Sequence, residues 1–113
     1  MRKLSLDAVS REQLERAVAG SAGRSATTVY GGHERALRQT VVALKAGSTM
    51  DEHVSPGEGT VHVLRGRVRL LADGDSWEGR TGDLIAVPDG RHSLEALEDS
   101  AILLTVVKPR EGA

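Results

Sequence analysis

The chain has 113 residues, with 15 basic and 16 acidic side chains, a formal net charge of -1, and neither cysteine nor phenylalanine. That length suits one domain, and the missing cysteines exclude disulfides, thiolate metal sites and cysteine nucleophiles while fitting a reducing, cytoplasmic setting. Balanced charge, with Trp77 and Tyr30 as the sole aromatics, excludes the positive field and stacking platform that nucleic-acid binding uses.

The opening stretch is broken by Asp7 and lacks the apolar core of a secretory signal. No apolar run approaches the roughly 18 residues that span a bilayer, so no membrane is expected. Ser10-Arg-Glu-Gln13 reads as a capping box, and Leu14, Ala17 and Val18 then recur at helical spacing before Gly20. These features predict a helix of about ten residues, followed by a small-residue linker over 20–26.

Beyond the linker, apolar runs separated by turn residues predict eight strands, near 26–30, 36–45, 60–64, 67–71, 76–78, 83–87, 92–95 and 101–107. Arg65-Gly66-Arg67, Asp73-Gly74-Asp75, Arg80-Thr-Gly82 and Pro88-Asp-Gly90 supply the glycines that tight turns need. Residues 1–25 form a helix and linker in this reading, 26–108 a β domain, and 109–113 a tail.

Two glycine, histidine and proline signatures lie in the second half of the chain. The first holds Gly47, His53 and Gly66, and the second Gly82, Pro88, Gly90 and His92. Their order and spacing resemble the two signatures of the cupin superfamily. The resemblance covers residues 36 to 108 and departs from the pattern at His92, which arrives one residue early.

It implies an all-β fold, the cupin double-stranded β-helix or jelly-roll barrel, here with a short N-terminal helix. It also implies a central pocket for a small organic molecule, a divalent metal ion (Mn, Fe, Ni, Zn or Cu) and a homodimer. A metal-bearing cupin uses two histidines of a His-x-His, a Glu or Gln, and a histidine of the second signature. This chain keeps His53 and His92. Ser55 stands at the second histidine position, and Gly59 or Thr60 at the carboxylate position.

Glu58, one residue earlier, is the substitute carboxylate, so the candidate metal set is His53, His92 and Glu58. Ser55, Thr60 and His62 are candidate pocket residues. If Gly59, Val61 and Val63 face inward, His62 faces outward, and a bulge between Pro56 and Gly59 would reverse this.

Arg65, Arg67 and Arg69 alternate and are expected along one solvated face. Trp77 and Met50 can line a cavity or pack in the core, and His33 belongs on the surface or an interface. No serine sits in a G-x-S-x-G elbow and no phosphate-binding loop is present. Fold resemblance does not choose between an enzyme, a metal-free small-molecule sensor and a structural homodimer.

Overall fold

The computed structural model describes residues 2–54, 58–88 and 90–108, and for 51–54 the backbone alone. It contains one helix and nine strands: α1 (Leu6–Ala19), β1 (Arg24–Tyr30), β2 (Leu37–Leu44), β3 (Thr49–Val54), β4 (Glu58–Arg65), β5 (Arg67–Ala72), β6 (Asp75–Arg80), β7 (Leu84–Ala86), β8 (Arg91–Ala96) and β9 (Ser100–Val107).

The strands form two antiparallel sheets, ordered β1-β2-β9-β4-β7 and β3-β8-β5-β6. This is a two-sheet jelly roll, as the sequence predicted. Their facing sides bury Val42, Leu44, Val61, Val63, Val68, Leu70, Leu94, Ala96 and Ile102. Each large apolar side chain in that layer contributes about 1.5–3 kcal/mol relative to remaining in water.

The far side of the five-stranded sheet is also covered, by α1. Ala17, Ala43 and Ala101 are fully buried where helix and sheet meet, and their small side chains let the backbones approach closely. Coverage on both sides explains why four consecutive residues of β2, Val41 to Leu44, are all buried. None of the described helices is long and apolar enough to cross a membrane.

Three expectations are corrected. The helix starts five residues earlier than the capping box suggested. Ser5 is the N-cap, accepting from the Ala8 amide at 3.1 Å, and Asp7 in the first turn complements the helix dipole. Ser10 is instead buried within the helix, its hydroxyl donating to the Asp7 carbonyl at 3.0 Å.

The second correction is the ninth strand. Asp51 and Glu52 interrupt the apolar alternation over 49–54, yet this segment pairs with β8 as β3. Third, the arginines do not share one face. Gly66, at φ 82, turns the chain from one sheet to the other. Arg65 therefore meets α1, bonding Asp7 at 2.6 Å, while Arg69 lies between Glu95 at 2.8 Å and Glu78 at 3.5 Å on the four-stranded sheet.

Candidate functional site

The candidate site begins with the alternation of β8. His92, Leu94 and Ala96 are buried while Arg91, Ser93 and Glu95 are not, so His92 shares the core face with Leu94 and Ala96. On one flank the β5 residue opposite it is the small Ala72.

His92 is 6% exposed, and its Nδ1 lies 3.3 Å from the carbonyl of Gly90. With the proton on Nδ1, that nitrogen donates to Gly90 and Nε2 carries the lone pair. Gly90 makes this contact from φ 93, a backbone region that glycine favours.

On the other flank β3 carries a register shift. Met50 pairs with Leu94, but His53, not Glu52, pairs with His92. Met50 packs against the core, and strict alternation would put a residue three positions later on the opposite face. One extra residue between them restores His53 to the position directly opposite His92. A bulge at this place left no signal in the residue pattern.

The structure thus brings His53 and His92 to one register position. It does not bring Glu58, Thr60 or His62 there. Val61 and Val63 belong to the core, so alternation sets these three on the other face of β4. Glu58 is exposed and opposite Val107, Thr60 lies between Ala86 and Thr105, and His62 lies between Leu84 and Leu103. Glu58 and Thr60 line a groove of about 420 Å³ on that face, together with Ala86, Thr105 and Val107.

Gly59 is the β4 residue on the core side, with its carbonyl bonded to the Val87 amide at 2.9 Å. A Cβ there would lie 3.2 Å from the Thr105 carbonyl and 3.4 Å from Val106. Ser55 and the side chain of His53 fall outside the described residues. Among the described residues no group of three His, Asp or Glu side chains could hold a metal ion.

Trp77 is opposite Leu70 on β5 but 45% exposed, because β6 is an edge strand. The core does not absorb it.

No family model matches the sequence, and no curated protein does. Solved structures do. A conserved protein of unknown function from Streptococcus pyogenes is 30% identical, with a TM-score of 0.72, the match covering 80% of this chain and 79% of that one. A cupin superfamily protein from Desulfitobacterium hafniense is 14% identical, with a TM-score of 0.70 and coverage of 76% and 78%. Salicylate 1,2-dioxygenase from Pseudoaminobacter salicylatoxidans, solved with gentisate, is 21% identical, with a TM-score of 0.73 over 89% of this chain and 31% of that one.

Proposed function

We propose that this chain, whose fold is that of cupin superfamily structures, binds a small organic molecule between its two sheets, with His53 and His92 as the polar anchor. The observation that carries this reading is the register that sets the two histidines opposite each other. Two imidazoles can donate to and accept from carboxylate or hydroxyl groups of a ligand, while the surrounding Val, Leu and Ala surfaces supply apolar contact.

A divalent ion is the cofactor that cupin relatives imply, and the donor set does not fit a complete centre of that kind. Gly59 takes the carboxylate position and Glu58 lies on the other face of β4. An ion here would have two imidazoles and no carboxylate from β4, too few for the sites that hold such metals tightly. The metal-free reading of the pocket is therefore favoured.

Elemental analysis of the untagged protein tests this, alongside His53→Ala and His92→Ala. Metal well below one ion per chain is expected, together with thermal stabilisation by a cognate ligand that is lost in both variants. One ion per chain, lost in both variants, would instead make this an open-site metalloprotein.

The homodimer is proposed on a second ground. Tyr30, Leu37 and Val107 are large apolar residues exposed at the β1, β2 and β9 end of the five-stranded sheet, and a two-fold dimer is the commonest way to cover such a surface. Light scattering across a concentration series measures it.

A further inference from the structure

We propose that the slot between the free edges of the two sheets is a binding site for a compact organic cation, an alkylammonium or guanidinium group seated on the indole of Trp77. β6 and β7 are the edge strands of their respective sheets, and the cavity between them measures about 460 Å³. Trp77, Leu84, Ala86 and Pro88 form its apolar walls, Asp83 is the charged residue that lines it, and Glu78 borders it from the outer face of β6.

Leu84 at 66% and Trp77 at 45% are the two most exposed large apolar side chains among the described residues. Both belong to this one cavity. Clustered apolar exposure rimmed by polar groups marks a binding surface rather than the scattered exposure of ordinary sheet faces, and the volume lies within the range of small-molecule pockets.

Charge selects the occupant. The lining holds the Asp83 carboxylate and no basic side chain, since Glu78 alternates to the other face of β6, opposite Arg69. Asp83 Oδ2 accepts from the Arg80 amide at 2.8 Å. Glu78 Oε1 takes a 3.5 Å contact from Arg69, which Glu95 holds more closely at 2.8 Å. The Asp83 Oδ1 has no hydrogen-bond partner among the described residues. A cation over an indole face gains further from the ring quadrupole, most of all on tryptophan.

The shape of the edge excludes an added strand. β7 has three residues, and Pro88, two positions beyond it, has no amide hydrogen to donate. Short edge strands with nearby proline resist pairing with another chain. What fits is a compact group held by stacking and charge. The site is independent of the His53 and His92 pair.

Trp77 is the sole tryptophan, so its emission reports on the slot directly. The full chain is titrated with tetramethylammonium chloride, against sodium chloride at equal ionic strength. A saturable emission change with tetramethylammonium alone is expected, Asp83→Asn should weaken the apparent affinity at least about threefold, and Glu78→Gln, on the other face of β6, should leave it unchanged. Asp83→Ala serves if Asp83→Asn unfolds the protein.

Equal responses to the two salts, or an affinity unchanged by the Asp83 substitution, would overturn the proposal. So would emission that shifts with protein concentration as the mass doubles, since a second copy would then cover Trp77.

Discussion

Arg65, the last residue of β4, bonds Asp7 in the first turn of α1 at 2.6 Å, and its Nε reaches Ser10 at 3.2 Å. One guanidinium thereby fixes the helix against the sheet. Arg11 also bonds Asp7, at 3.1 Å.

The Asp7 carboxyl is held below its ordinary pKa, first by the Arg11 hydrogen bond and then by the bond and charge of Arg65. A carboxyl lowered in the folded state stabilises the fold above its unfolded pKa, and that contribution is lost as pH falls through the folded value. Asp7→Asn should therefore lower the Tm at pH 7. The gap to the unsubstituted protein should close as pH drops below about 4, and melting curves from pH 7 to 3 measure it.

Gly66→Ala should destabilise the fold by at least about 1–2 kcal/mol from the left-handed backbone alone. The new Cβ would also collide with the Asp99 carbonyl and Ser100. Ser100 is buried, and its hydroxyl accepts from the Arg67 amide at 3.0 Å, so it has little room to yield. Urea denaturation reads the loss.

At the helix–sheet contact, Ala101→Leu should cost about 1–3 kcal/mol. Ala17, Ala43 and Ala101 are each 0% exposed, and added methylenes there have to push α1 away. The equivalent change at Ala86, an exposed position, should have little effect. Paired thermal melts of the two variants distinguish these outcomes.

Glu58→Gln should leave metal content and ligand-induced stabilisation unchanged, because Glu58 occupies the face of β4 opposite Val61 and Val63. His92→Ala should abolish the stabilisation. A thermal shift series with both variants makes the comparison, and equal losses would mean that Glu58 takes part in the site.

Much of the jelly roll was legible because period-two alternation and glycine turns leave marks in the sequence. Asp73 at φ 50 and Gly74 at φ 78 form the two-residue turn that Asp-Gly announces. The helix start was less visible, since Ser5 and Ser10 both carry capping chemistry and burial of Ser10 under Arg65 is a tertiary fact. β3 was hidden by its charged residues. Its register shift was hidden for a different reason: a bulge answers to the partner strand, whose identity no local pattern encodes.

Within the site, the signatures pointed to His53 and His92, and alternation from Val61 and Val63 already oriented His62 outward. The exposure of Trp77 was not legible. An inward position on an interior strand and one on an edge strand look alike in sequence, and only strand order separates them.

The pairing of β2 with β9, from Leu37 opposite Val107 to Leu44 opposite Ser100, has a kinetic consequence. These strands are neighbours in space and distant in sequence, so the central ladder of the larger sheet is a long-range closure. The entropy of that loop is spent before the contacts return any stability, which places such β topologies in the millisecond-to-second folding regime. The hairpin of β5 and β6, joined by Asp73 and Gly74, can form early at small entropic cost. The larger sheet cannot close until its last strand arrives.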